Sequence, residues 1–293
     1  MTDNTVCNLC LNPGRFENSK ELNQIPSIVR KFHAEKFTVW RCPSCFSLHS
    51  KEQIDLVYYY KYYPLQQHKL DIWARLAYNN RLRRVRREGL KKEHSILDYG
   101  CGQGLFVKFL HAKGYRDAVG YDPYVSNYAE ERVLNRAYDF VIAQDVIEHD
   151  DDPKGLMGKL IHYLRPNGIL CIGTPNADQI DLSEPEQFAM PLHQPYHRHI
   201  LSENALVQIG RNLGLRVGTI YHRWYYDTLY PTVNYRFIVT YMRYAGNVLD
   251  AIFEPPRVGM VISSPLLLFY TFFGYFFPPR SEMMIFFHRI NSA

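Results

Sequence analysis

The ten residues from Ser95 to Gly104, SILDYGCGQG, constrain this chain more than any other stretch. A short apolar run ends at Asp98, and glycines follow at alternate positions, Gly100, Gly102 and Gly104. Glycines at such a turn reach backbone angles closed to other residues and let a ligand approach the main chain. In open parallel sheets, ligands bind beyond the carboxyl ends of the strands, where strand order reverses. The segment therefore predicts a strand, a ligand-cradling turn and a helix.

The pattern around it agrees. "SILDYG", "AVGYD", "YDFVIAQD", "ILCIGTP" and "LRVGTIYHR" read as strands, and "EMMIFFHRI" as a closing one. Between them, "GLFVKFLHAKG", "PKGLMGKLIHYLRPNG" and "SENALVQIGRNLG" read as helices, the last with Ser202 as N-cap. Such alternation predicts an α/β fold: a Rossmann-like, doubly wound, mostly parallel sheet with an antiparallel closing strand. Three regions fit that frame: a cysteine-bearing module over 1–56, a linking amphipathic helix over 57–94, and the main domain over 95–293. An aromatic, helical, lid-like insertion occupies 223–280. The linking helix is expected to start after Pro64 and end near Gly89.

A dinucleotide site asks for G-x-G-x-x-G and seats a pyrophosphate on the helix N-terminus. Here the spacing is G-x-G-x-G, and Asp98 stands at the mouth, where it would repel a pyrophosphate. A carboxylate suits S-adenosylmethionine, which has no phosphate and carries a positive sulfonium and a positive amino group. Asp122, 24 residues further on at the end of "AVGYD", is placed to accept hydrogen bonds from ribose hydroxyls.

Together, "ILDYGCGQG", "GYDPY", "YDFVIAQDVIEHDDDP", "LRPNGILCIGTPN" and "HRHILSENALVQIGRNLGL" resemble the class I S-adenosylmethionine-dependent methyltransferases, nearest the branch acting on small molecules, sugars and lipids. The resemblance covers roughly Ser95 to His222 and the closing strand. It implies that Asp98, Gly100, Cys101, Gly102 and Gly104 border the cofactor's methionine end and that Tyr121, Asp122 and Pro123 border its ribose. It implies that Gln144 and Asp145 face the methyl, and that Glu148 and His149 cap the next helix and shape the pocket. One departure stands out: only "PYVSNYAEERVLNRA" fills the place of the family's third strand, leaving Val133 and Leu134 as an apolar wall for the adenine.

Methyl transfer from a sulfonium is an in-line displacement in which positioning can supply ~7–11 kcal/mol. A hydroxyl or carbon acceptor also needs a general base. His193, His197 and His199, with Tyr196 among them, follow the "ILCIGTPN" strand at the binding edge and are the candidates. As a metal site these histidines lack a carboxylate at ligand spacing.

Cys7 and Cys10, with Cys42 and Cys45, form two C-x2-C knuckles 31 residues apart. Two such knuckles supply four thiolates for a closed, structural, zinc-ribbon-like Zn²⁺ site. Cys101 and Cys171 read as buried small residues.

With a net charge of +5, the chain permits an anionic partner without demanding one. "RLRRVRREGLKK" reads as the solvated face of a helix, with RNA phosphates as the rival partner. Tyr58 to Tyr63 put five tyrosines into six positions, either as a wall of an acceptor pocket or as packing between module and domain. Val258 to Phe277 is uncharged over 20 residues, long enough for a membrane span. The closing strand must return to the same sheet, so a lid, a dimer interface or a membrane-surface contact fits better. The opening "MTDNTVCNLC" has no apolar signal core, which predicts a cytoplasmic protein. The reading is a methyltransferase for a small, apolar, sugar-containing or lipid-linked acceptor in a biosynthetic pathway. The alternatives are an RNA methyltransferase and a non-catalytic cofactor-binding subunit.

Overall fold

The computed structural model describes residues 4–64 and 69–290. Six strands form the main sheet: β4 (Ile96–Tyr99), β5 (Ala118–Tyr121), β6 (Tyr138–Gln144), β7 (Leu164–Pro175), β9 (Leu215–Tyr221) and β10 (Glu282–Arg289), in the order β5-β4-β6-β7-β10-β9. Strands β5, β4, β6 and β7 run parallel, and β10 enters antiparallel between β7 and β9. That arrangement matches the expected fold class. In the place of the family's third strand lie two short 3-10 turns, Ser126–Tyr128 and Glu131–Asn135, as the sequence predicts.

Successive strand residues point to opposite faces, and both faces are buried here. Leu97, Val141, Leu170 and Phe287 pack on one side with α4 (Pro153–His162) and α6 (Glu203–Asn212). Ile96, Phe140, Ile142 and Phe286 pack on the other with α2 (Ile72–Arg87) and α3 (Leu105–Ala112). Local chemistry sets the helix starts: the Asp71, Asp152 and Ser202 side chains each accept a hydrogen bond from the first turn of their helix. Asp152 thus caps α4, and the capping role expected of His149 is corrected. The linking helix is also two pieces: α1 (Leu56–Tyr60), then α2. The intervening 65–68, where a single helix was expected to begin, lies outside the described residues.

The cysteine module is a small antiparallel sheet, and the 31 residues between its knuckles fold around an antiparallel pair of strands. Strands β1 (Leu22–Pro26), β2 (Lys36–Arg41) and β3 (Leu48–Ser50) pair in sequence. The fourth strand is β8 (His199–Ile200), after the short helix α5 (Ala189–Leu192) of the main domain. The insertion folds into α7 (Tyr235–Tyr244), α8 (Val258–Ser263) and α9 (Pro265–Phe273). Its Leu249 amide donates to the Ile28 carbonyl, and Met242 and Leu249 pack with Ile28 and Ala189.

Candidate active site

The sheet order reverses at β4, which has β5 on one side and β6 on the other, so a crevice opens above their carboxyl ends. Gly100, Gly102 and Gly104 all take left-handed φ, at 73°, 51° and 66°. A Cβ on Gly100 would lie 2.3 Å from a Val146 methyl, and one on Gly104 would overlap the Tyr128 hydroxyl. At Gly102 a Cβ would meet nothing within 4 Å, so the loop faces open space there. Asp122 closes the ring: its carboxylate accepts from the Gly102 amide and from the Tyr124 amide, both at 2.9 Å. The two predicted elements of the cofactor site, loop and ribose carboxylate, are therefore in contact.

The opening electrostatic expectation needs correction. Asp98 does not await a cation alone: Arg81 of α2 pairs with it at 3.0 Å, and both side chains are about 95% buried. The basic stretch is thus not simply an outer face, because Arg81 and Arg84 both point inward. Burial pushes the Asp98 carboxyl up, and the guanidinium only partly reverses this. Arg81 Nε is buried without a partner. A buried guanidinium with an unshared N–H beside a buried carboxylate complements the carboxylate and ammonium of an amino-acid zwitterion. This fits the methionine end of S-adenosylmethionine better than a lone carboxylate would.

Asp145 stands at the end of β6 with a left-handed φ of 56°, unusual for a non-glycine residue. It is open to solvent but walled in by protein, an enclosure that raises its pKa. Gln144 donates to it at 2.8 Å and buries an unpartnered Oε1. Tyr225 and Tyr226, at the start of the insertion, reach the same region and stack around Tyr78. Cys101 packs its sulfur against Gly120, and burial raises its thiol. The Tyr121 ring lies in the core beside Tyr99, while its carbonyl accepts from the Gly100 and Cys101 amides. Pro123 follows Asp122 directly. Val133 and Leu134 lie half-buried against the core in the second 3-10 turn.

The histidines divide. His193 and His197 stack, with ring centroids 4.9 Å apart, and His149 meets His197 edge-on at 4.8 Å. His199 is not with them. It sits in β8, its Nδ1 2.8 Å from His49 Nδ1, so it belongs to the module sheet and is corrected out of the base candidates. Tyr196 is fully buried and donates its hydroxyl to the Tyr59 carbonyl at 3.0 Å, which occupies that proton structurally. His193 has a left-handed φ of 36° and a buried, unpartnered Nε2. Burial lowers its pKa to about 3 and that of His149 to about 4, so both rings are neutral near pH 7. The tyrosines pack here too: Tyr63 faces His193, and Tyr60 contacts His149 at 3.1 Å and stacks on Tyr124 next to Asp122.

Sequence reasoning missed Glu148 as a partner of this cluster. Its Oε2 accepts from Thr174 at 3.0 Å, and its buried Oε1 has no hydrogen-bond partner and lies 3.9 Å from His197 Nε2. Ligand atoms of Glu148, His149 and His197 fall within 4.8 Å of one another, so the carboxylate absent from the local spacing arrives from another loop. Glu282, also missed, begins β10, and burial beside Asp145 and Glu148 pushes it well up.

Cys7, Cys10, Cys42 and Cys45 come together, with neighbouring sulfurs 3.7 to 4.0 Å apart. Tetrahedral zinc with bonds of about 2.3 Å would set sulfurs about 3.8 Å apart, so the cluster fits that ion. The Leu9 amide lies 3.4 Å from Cys7 Sγ, and a Cβ on Gly14 would touch Cys42 Sγ at 2.7 Å.

The crevice, the glycine loop and the acid after β5 define a Rossmann-like cofactor site of the methyltransferase type. A methyltransferase-domain family model matches residues 70–220, just over half the chain, and the protein belongs to that family. Over 100 residues it is 33% identical to a ubiquinone biosynthesis O-methyltransferase of Rickettsia canadensis, covering 28% of this chain and 42% of that one. A protein of the same name from Rhodopseudomonas palustris is 30% identical over 101 residues, covering 28% and 40%. The match thus spans about two fifths of these relatives. Among solved structures, a SAM-dependent methyltransferase from Archaeoglobus fulgidus aligns with 79% of this chain and 99% of its own, at 18% identity and a TM-score of 0.45.

Proposed function

We propose that the protein transfers a methyl group from S-adenosylmethionine to a small, apolar, sugar-containing or lipid-linked acceptor in a biosynthetic pathway. The observation that carries this reading is the glycine loop tied to Asp122, with the zwitterion-complementary pair Arg81–Asp98 beside it. The bound cofactor would supply an electrophilic methyl on a positive sulfur. Arg81 would hold its carboxylate, Asp98 its ammonium and Asp122 its ribose hydroxyls, while Gln144 and Asp145 border the transfer point. His193, neutral and with its Nε2 unshared, would take the proton of an acceptor hydroxyl. An oxygen acceptor accords with the O-methyltransferase names of the relatives. Tyr60, Tyr63, Tyr225 and Tyr226 would give the acceptor apolar faces.

One structural zinc ion would sit in the four-cysteine cluster, supported by the sulfur spacing. Metal analysis of the purified chain should find one zinc per protein, and a Cys42→Ser substitution should remove it and lower the melting temperature. Zinc-free protein with an unchanged melting temperature would refute this assignment.

The main test is incubation of the full chain with methyl-labelled cofactor and a cell extract split into lipid, small-molecule and RNA fractions. Label in the lipid or small-molecule fraction is expected. Label confined to RNA, and lost on neutralising Arg83, Arg86 and Arg87, would favour the nucleic-acid reading. Calorimetry showing tight uptake of NAD and none of S-adenosylhomocysteine would overturn the cofactor assignment.

A further inference from the structure

The insertion carries an apolar surface that methyl transfer does not require. From Val258 to Pro279 there is no charged residue and no histidine. The backbone bends at Ser264, so the run is divided into helices of 6 and 9 residues. A span needs about 20 apolar residues in one helix, and among the described residues no helix is long and apolar enough to cross a membrane. Yet the side chains are not folded away. No residue of α8 is buried, and only Leu267 and Thr271 of α9 are. Ile262, Phe272 and Phe276 are 65%, 58% and 63% exposed. Contiguous apolar surface of this kind marks a site of association.

The distribution of the wet residues points to the kind of partner. At 100° per residue, the exposed Leu266, Leu268, Phe269, Phe272 and Phe273 spread over nearly half of the circumference of α9. A protein partner would bring hydrogen bonds to a polar rim, and the run from Val258 to Pro279 offers no charged side chain for one. A fluid apolar phase covers such an arc without matching its shape.

Charge complements this on two sides. Arg257, which pairs with Glu254 at 3.6 Å, and Arg280 bracket the run. Beside it lies a cavity of about 370 Å³, where Asn80, Arg83 and Arg86 of α2 face Leu229, Tyr230 and Tyr275 of the insertion. Tyr275 follows α9 within two residues, so the basic cavity adjoins the apolar surface. Cations beside exposed aromatic and aliphatic side chains are the composition of a surface that lies in a bilayer interface.

We propose that α8, α9 and the turn after them rest in the interfacial layer of an anionic membrane, with Arg83 and Arg86 receiving a lipid phosphate. The chain attaches to one leaflet and does not span it. An acceptor with an alkyl or isoprenoid tail would share that layer, and Tyr225 and Tyr226 link the insertion to the cleft.

Flotation of the full chain with vesicles of phosphatidylcholine, with and without phosphatidylglycerol, tests this. The protein should float with both and bind more tightly when phosphatidylglycerol is present, less so as salt rises. Phe272→Ser with Phe276→Ser should weaken partitioning to both vesicles by roughly tenfold or more. Arg83→Gln with Arg86→Gln should remove roughly tenfold of the phosphatidylglycerol-dependent part alone. These positions are exposed or line a surface cavity, so a circular dichroism melt should match the parent chain. Protein that stays unbound with both vesicles would overturn the proposal. So would a dimer in buffer that the two serine substitutions split into monomers, which would assign the surface to a second copy. Binding that phosphatidylglycerol does not strengthen would overturn the phosphate role of the arginines.

Discussion

Arg81 and Asp98 form a pair 17 positions apart, and each would be a stranded charge without the other. Breaking a buried pair from one side typically costs about 3–5 kcal/mol. Arg81→Met should therefore lower stability in urea unfolding and weaken S-adenosylhomocysteine affinity by roughly tenfold or more in calorimetry. Arg81→Met with Asp98→Leu should regain much of the stability and none of the affinity. Recovery of both would show that the pair is only structural. Asp98 and Asp122 were legible because each ends an apolar run next to a glycine or turn signal. Arg81 was not, since five arginines within seven positions read as a wet helix face, and its burial depends on how α2 settles against α3. The same limit applies to His199: "HRHI" offers no local hint that its partner is His49, 150 residues away.

The parallel strands β4 to β7 were readable because each is an apolar run closed by glycine, aspartate or proline, and α2, α4 and α6 each have a side-chain cap. The module sheet was not, because a two-residue strand has no period to detect, and β8 exists only through its pairing with β3. The loop after β4 gives a sharper test than the strands do. Gly100→Ala meets both a left-handed φ and a Val146 methyl at 2.3 Å, whereas Gly214→Ala meets a φ of 78° with nothing within 4 Å. The second should cost about 1–2 kcal/mol, the backbone penalty alone. The first should cost clearly more and also depress cofactor affinity. Equal losses in denaturant titrations would argue against the close approach of loop and β6.

At the scale of the whole molecule, buried histidines dominate the response to acid. His149, His193 and His199 are lowered to about 4, 3 and 4 by burial, and His49 and His197 fall well below the ordinary value. Below pH 6.5 the unfolded chain binds protons that the folded chain refuses, so stability is full above 6.5 and falls toward pH 4. Asp98, Asp145, Asp150, Asp227, Glu148 and Glu282 shift upward and oppose part of this loss. Melting temperature should still drop steadily from pH 7 to pH 5, and a flat profile would contradict the burial of the five rings. The borrowed strand β8 has a further consequence. Ser202 grips the Cys45 carbonyl at 2.6 Å, Arg198 exchanges backbone contacts with Ser50 and Glu148, and His197 is the next residue along the chain. The sulfur cluster and the reaction chamber are thus joined like two ends of one short lever. On the proposed reading, chelating the metal or oxidising these thiols should lower methyl transfer before it lowers far-ultraviolet ellipticity, and loss of both together would argue against the coupling.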